Sequence, residues 1–204
     1  MERDTKILKH LEHYIGAKAV LRKTIKERKN GLGFDLVFFR ANHARPYHIV
    51  STIGLSDYKM KGKSKRVEFI FYLDKRWDLF SNDEEYNWIY KLIGEIAFAF
   101  KNSKRAISSG QCFYTEGSNT FSKYTEMSSA IFYYPLGLDN DSWSLKLSMF
   151  SKIDFYLLTT STYKEYPIVK KMGGGNFIEE YLLEDGDLEN LVIFNTKKSK
   201  HLDN

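Results

Sequence analysis

Three segments of this chain are apolar on both faces of an extended strand, and this pattern limits the possible folds more than any other feature. GFDLVFF (33–39), YHIVSTI (47–53) and RVEFIFYL (66–73) are rich in aromatic and β-branched residues, which favour strands. In the third segment one face carries Val67, Phe69, Phe71 and Leu73, and the other carries Ile70 and Tyr72. Such strands predict the interior of a sheet that is covered on both sides.

Two further segments have the periodicity of amphipathic helices. Residues 4–15 place apolar side chains at helical spacing and are followed by Gly16, a common helix end. A longer helix follows the acidic residues at 83–85, and its apolar stripe consists of Tyr86, Ile89, Tyr90, Ile93, Ala97 and Phe100. We therefore predict a mixed α/β (α+β) fold, in which helices flank a mixed β-sheet within a single domain, 1–204.

The rest of the chain supplies shorter elements. Residues 18–27 predict a basic edge strand, residues 108–124 an extended loop region, and residues 195–204 a frayed tail. Further strands are predicted within SAIFYYPLGL (129–138), WSLKLSMF (143–150), IDFYLL (153–158) and LVIF (191–194). In WSLKLSMF, the residues that alternate with polar ones are Trp143, Leu145, Leu147 and Met149.

A helical region is predicted between the last two of these strands. Thr162-x-x-Glu165 has the spacing of a capping box, and Pro167 requires either a helix start near Tyr166 or a kink. The glycines 173–175 predict its end and a flexible joint, and Asn176 with Glu179 predicts a second helical start.

The composition limits the cellular compartments in which the protein could function. Of the 204 residues 43% are hydrophobic, yet no apolar run approaches the roughly 20 residues of a membrane span. The charged N-terminus lacks the apolar centre of a signal peptide, and the single cysteine, Cys112, excludes an internal disulfide. We expect a cytoplasmic protein that does not interact with membranes.

Charge is unevenly distributed along the chain, although the net charge is only +5. Residues 18–29 and 59–66 are basic, whereas residues 177–189 are acidic and contain no base. Such segments can steer a charged partner, but solvated strand faces and loops are the more common explanation.

Candidate catalytic and metal-binding residues lack the partners that their chemistry requires. Ser56, in GLSD, lacks the second glycine of a nucleophile elbow, and His48 is the nearest potential base. We expect Ser56 and Asp57 to satisfy backbone groups of a turn instead. His10 and His13 indicate a surface pair rather than a metal site, and the three glycines lack the Lys-Ser/Thr of a phosphate loop. Cys112 is expected to be structural. We predict no catalysis, no metal and no cofactor, and nucleic-acid binding stays open as an alternative.

Several of these segments resemble the suppressor-of-fused (SUFU) domain family. The most specific piece is TIGLSD (52–57), and VEFIFYLDKRWD, ISSGQCF, PLGL and IDFYLLTTSTYKEYPIVKKMGGGNFIEEYL extend the resemblance over about 17–185. Gln111 departs from the pattern, which has histidine after the glycine. The family motif of the turn comprises Gly54, Leu55, Ser56 and Asp57.

The resemblance implies a scaffold that acts by protein–protein binding rather than catalysis. Short bacterial members of the family resemble immunity proteins (antitoxins), which neutralise a cognate secreted polymorphic toxin, often a nuclease. The implied partner is a toxin protein, with a nucleic-acid-binding or other regulatory interaction module as the alternative. Since nuclease grooves are basic, we name the acidic segment as the candidate toxin-binding site, with Glu179, Glu180, Glu184, Asp185 and Asp187.

Overall fold

The computed structural model contains a single eight-stranded β-sheet. It describes residues 2–27, 32–58, 66–103, 106–115, 120–183 and 186–193. The strands are β1 (Leu21–Glu27), β2 (Leu32–Phe39), β3 (Tyr47–Ile53), β4 (Val67–Asp74), β5 (Cys112–Tyr114), β6 (Met127–Tyr133), β7 (Ser144–Ser148) and β8 (Ser151–Thr162). Their order across the sheet is β1-β2-β3-β4-β8-β6-β5, and β7 also pairs with β8.

The sheet is mixed, as predicted. Strands β1 to β4 form an antiparallel meander, whereas β4 pairs with β8 in parallel. A parallel connection requires a crossover, and the chain between β4 and β8 supplies it with a long helix and three more strands. Strand β8 then pairs with β6 along its second half and with β7 along its first half, both antiparallel.

Helices cover both faces of the sheet. Helix α2 (Glu84–Ser103) packs on one face, where Trp88, Ile93 and Phe100 join the first core. The other face is covered by α1 (Glu2–Ile15), α3 (Tyr166–Met172) and α4 (Gly174–Asn176), which continues into a π-helix (Phe177–Leu182). No helix in the described parts of the chain is long and apolar enough to cross a membrane.

The central strand β4 shows why two cores form. Val67, Phe69, Phe71 and Leu73 belong to the core under α2, whereas Ile70 and Tyr72 belong to the core under α1. All six side chains are 0% exposed. The alternation read from the sequence is therefore confirmed, and it accounts for a sheet with helices on both sides.

Several boundaries differ from the sequence predictions. The segment 108–124, predicted as a loop, contains β5, a short strand whose three residues pair with Ser129–Ile131. Of the predicted strand 191–194, the described residues 191–193 form one bridge, between Leu73 and Ile193, and residue 194 lies outside the described residues. Strand β7 ends at Ser148, so Met149 lies beyond it. The basic edge strand β1 is confirmed, while the tail 195–204 and most of the 59–66 loop lie outside the described residues.

Strand β8 is longer than predicted because its polar end is buried. Residues 159–162 (TTST) continue the strand, and Thr159 Oγ1 donates to the Leu191 carbonyl oxygen at 3.0 Å. At the end of β8 the reciprocal bonds of the predicted capping box are present: Thr162 N donates to Glu165 Oε2 at 2.7 Å, and Glu165 N to Thr162 Oγ1 at 3.3 Å. They lie before the helix rather than at its start, because Thr162 ends β8 and Glu165 is the N-cap of α3. Helix α3 starts at Tyr166, which leaves Pro167 in the first turn, where it is tolerated.

Of the three glycines at the predicted joint, Gly174 is closely packed, whereas Gly173 and Gly175 have room for a Cβ. Gly173 ends α3 with a φ of 84°, a conformation that favours glycine. A Cβ on Gly174 would lie 2.6 Å from the Gly110 carbonyl oxygen and 2.6 Å from Cys112 Sγ. The backbone after α3 can therefore approach the turn before β5 only because residue 174 has no side chain.

Candidate functional site

The turn that follows β3 is held by a buried carboxylate from the next strand. Gly54 adopts a φ of 101° and starts a short 3₁₀ turn, Leu55–Asp57. Glu68 Oε1 accepts from the backbone N–H groups of Gly54 (2.9 Å) and Ser56 (3.0 Å). Its Oε2 accepts from the Thr52 hydroxyl at 2.6 Å and the Leu55 N–H at 3.3 Å. Four donors therefore converge on one side chain.

Glu68 lies in a strongly desolvated site. Its side chain is 0% exposed, and burial raises the pKa of its carboxyl above the usual value. Hydrogen bonds from Thr52, Ser56 and Gly54 oppose that shift. An ionised carboxylate has only acceptors, and that matches the four donors around it.

The structure thus assigns the backbone groups of the turn to Glu68 rather than to the side chains of Ser56 and Asp57. Ser56 is 0% exposed, and its carbonyl oxygen accepts from Arg66 Nη1 at 2.8 Å. Asp57 forms an ion pair with Arg3, which connects the turn to α1. The family motif Gly54, Leu55, Ser56 and Asp57 is therefore an anchored structural unit.

The histidine considered as a base for nucleophilic catalysis is held by two backbone groups. His48 Nδ1 accepts from the Ala41 N–H at 3.0 Å, and its Nε2 donates to the Lys75 carbonyl oxygen at 3.1 Å. Burial lowers the pKa of the His48 imidazole. Since both ring nitrogens bond backbone groups, this histidine is not oriented as a base for Ser56.

The other candidates also contribute to packing. His10 stacks on Phe155 with ring centroids 5.1 Å apart, and its Nε2 donates to the Ser142 carbonyl oxygen at 2.9 Å. Burial raises the pKa of the Cys112 thiol, as expected for a structural cysteine. Within the described residues, no group of three His, Cys, Asp or Glu side chains could hold a metal ion.

The acidic segment is only partly free for a partner. Glu179 and Glu180 are exposed on the π-helix, but the Tyr133 hydroxyl donates to Glu179 Oε1. Asp187 Oδ1 accepts from the Glu189 N–H at 2.8 Å and so caps a 3₁₀ turn, Leu188–Leu191. Glu184 and Asp185 lie outside the described residues. The proposed toxin-binding role of these acids stays a prediction.

The hairpin of β7 and β8 carries the two most exposed of the large apolar side chains in the described parts of the chain. Met149 is 80% exposed and Phe150 is 94% exposed. These two residues form the whole connection between Ser148 and Ser151, which pair across the hairpin. Two-residue connections favour Gly, Asn and Asp, so Met-Phe is an unusual choice on grounds of turn chemistry.

Beside this tip lies a shallow depression of about 380 Å³. Its polar lining includes Lys146 and Lys152, which lie directly opposite each other across the hairpin. Lys152 Nζ bonds Asp154 Oδ1 at 2.7 Å. This surface was not predicted from the sequence, because Met149 was assigned to the alternating pattern of a strand rather than to a hairpin tip. Glu68 was not predicted either, although a single acid within an apolar strand is a detectable signal.

Comparison with known proteins gives the family. The family model for the suppressor of fused protein (SUFU) matches residues 32–192, whereas a search of curated proteins found no match. The match includes the Gly54–Asp57 turn and the β7–β8 hairpin, and it begins after α1 and β1.

Solved structures of SUFU proteins have a similar fold. The chain is similar to one in the Sufu–Fu complex, with a TM-score of 0.67 and 14% identity over 96% of this chain and 91% of that one. A putative SUFU homologue from Neisseria gonorrhoeae gives 0.66 and 12% identity over 94% of this chain and 93% of its own. Drosophila Suppressor of Fused gives 0.64 and 15% identity over 94% of this chain and 49% of the relative. Together with the family match over more than half of its length, the fold shows that the chain belongs to the suppressor of fused family.

Proposed function

We propose that the chain is an immunity protein (antitoxin), which binds a cognate toxin of the nuclease class and neutralises it by protein–protein inhibition. One similar structure is described as a Sufu–Fu complex, which supports a binding role for this fold. This relative supports protein binding in general, and the toxin partner is our proposal.

The observation that carries the binding function is the exposed Met149–Phe150 tip. Large apolar side chains that are almost fully exposed are unfavourable in water and mark interaction surfaces. Aromatic side chains of this kind often contribute most of the energy of an interface. The backbone of the tip is held by the pairing of β7 with β8, so little backbone entropy would be lost on binding.

Coexpression with the protein encoded beside this chain tests the proposal. We expect the chain to restore growth of cells that produce that protein's toxin domain, and the two purified proteins to elute as one complex. A Met149→Ser/Phe150→Ser variant should lose both effects. Phe80→Ser, at a residue that is 55% exposed elsewhere on the surface, should retain them. Absence of rescue by the unaltered chain would contradict the immunity function.

The same purified proteins distinguish the immunity function from the nucleic-acid-binding alternative. Binding of RNA or DNA by the purified chain, with an affinity that falls steeply as salt rises, would favour the nucleic-acid-binding module instead. An immunity protein should give the protein complex and no such binding.

A further inference from the structure

We infer that the β7–β8 hairpin binds an acidic and apolar segment of its protein partner, with a partner carboxylate between Lys146 and Lys152. This inference rests on the proposed protein-binding function and adds the chemistry of the partner. It is drawn from two features that adjoin on one surface: a pair of lysines that face each other, and the apolar tip next to them.

The lysine pair is only partly neutralised within the chain. Lys146 and Lys152 are direct cross-strand partners, and like charges in that position destabilise a hairpin. Lys152 pairs with Asp154, but within the described residues no carboxylate pairs with Lys146. Of the residues that line the depression, all of them described, none is acidic. An external carboxylate would therefore relieve the repulsion and complete two charge-assisted hydrogen bonds.

The apolar half of the site is directly adjacent. Met149 and Phe150 line the same depression as both lysines, together with Ser144, Ser148 and Ser151. A segment that carries an acid next to large apolar residues could place its carboxylate on the lysines and its apolar groups on the tip. The serine hydroxyls can bond its backbone, since each hydroxyl both donates and accepts.

The positive charge of the hairpin excludes a role in which this surface imitates a phosphate backbone. The groove of a nuclease is basic because it binds a phosphate backbone, and a lysine pair would be repelled there. If the partner is a nuclease toxin, the hairpin contacts an acidic and apolar region outside that groove. Inhibition would then act by distortion or by steric exclusion from an adjoining surface.

Peptide titrations followed by NMR test the site without knowledge of the partner. The probe is a peptide that alternates glutamate with leucine and phenylalanine, and matched peptides replace either glutamate by lysine or the apolar residues by serine. We expect amide shift changes confined to the hairpin, over 144–154, with the first peptide only. Equal shifts with the lysine peptide, or shifts elsewhere on the chain, would overturn the inference.

Charge-reversal variants of the chain provide the second part of this experiment. Lys146→Glu should weaken binding of the acidic peptide by roughly tenfold, whereas Lys164→Glu, at another exposed lysine, should leave it unchanged. Phe150→Ser should weaken it by about thirtyfold if the tip is an interface hot spot. A Phe150→Ser change that abolished self-association instead would identify a second copy of this chain as the occupant and overturn the inference.

Binding of the protein encoded beside the chain, tested as its toxin domain, separates the two proposals. If that toxin domain binds the chain but tolerates Lys146→Glu and Phe150→Ser, the inference fails and the immunity function stands. If the toxin domain does not bind while the acidic peptide does, the immunity function fails and the hairpin site stands.

Discussion

Glu68 determines the shape of the Gly54–Asp57 turn through bonds to main-chain amides. Three of its four donors are backbone N–H groups, and the fourth is the Thr52 hydroxyl, which itself accepts from the Phe69 N–H at 2.8 Å. The strand pair and the turn are therefore joined by one continuous network. Networks of this kind stabilise a structure only while every member is paired.

Glu68→Gln tests this dependence with almost no change of shape. The amide nitrogen of glutamine donates, so it would face two donors that now share one oxygen. We expect the free energy of unfolding in urea to fall by roughly 2–4 kcal/mol, because buried donors lose their acceptor. Glu95→Gln, at an exposed position of α2, should change it by less than about 0.5 kcal/mol. A Glu68→Gln protein as stable as the unaltered chain would refute this role.

His48 makes stability dependent on pH. Burial lowers the pKa of its imidazole below the ordinary 6.5, so the unfolded chain binds a proton at a pH where the folded chain does not. Stability should therefore decline as pH falls from 6.5 towards the lower pKa of the folded state. Protonation at Nδ1 would also break the hydrogen bond from the Ala41 N–H, because two donors would then face each other.

Urea unfolding at about pH 7.5 and about pH 5.5 measures this effect. His48→Asn keeps an acceptor for the Ala41 N–H but does not titrate, so its stability should decline less over this range. Some decline should persist, because burial also lowers the pKa of His10. Identical declines in both proteins would show that His48 does not contribute.

The joint between α3 and α4 is the element whose packing allows the least change. Gly174→Ala would bring a methyl group within 2.7 Å of Ile131 Cγ2 and closer still to two other atoms. We expect a loss of about 1–3 kcal/mol in unfolding free energy. Gly175→Ala is the matched control: its methyl group would lie 3.7 Å from Gly110 Cα, so stability should stay equal or rise slightly. Equal tolerance at both positions would contradict the close packing.

Elements with a strong repeating pattern were predictable from the sequence. Helices α1 and α2 and strands β2, β3 and β4 were identified because burial imposes a period on their apolar residues. Strand β5 was missed because three residues are too few to show a period. The end of β8 was missed because TTST is buried through hydrogen bonds rather than apolar character. At the candidate site, the cross-strand position of Lys146 depends on register, which a single strand does not reveal.

The whole molecule should unfold as one unit, because both cores share one sheet. Phe38 and Phe39 are consecutive residues of β2 and belong to different cores. Replacement of either by alanine should cost about 3–5 kcal/mol and lower the same single transition.

Fluorescence and circular dichroism test this coupling. Trp77 and Trp88 both lie in the core that contains Phe38, whereas Trp143 does not, so fluorescence measured in a Trp143→Phe background reports that side of the sheet. In Phe39→Ala the perturbed core is the opposite one, yet the fluorescence and dichroism midpoints should coincide. Separate midpoints would mean that the two sides unfold independently.

The apolar pattern of β4 has a consequence for strand register. In a strand with one polar face, a slip by one residue exposes apolar groups, and this cost selects the correct alignment. Apart from Glu68 and the terminal Asp74, β4 is apolar on both faces, so a slipped alignment would still bury apolar side chains. Only in the native alignment does the carboxylate of Glu68 meet the N–H groups after β3. The one buried acid of this strand therefore favours the native register over other pairings that would bury similar apolar side chains.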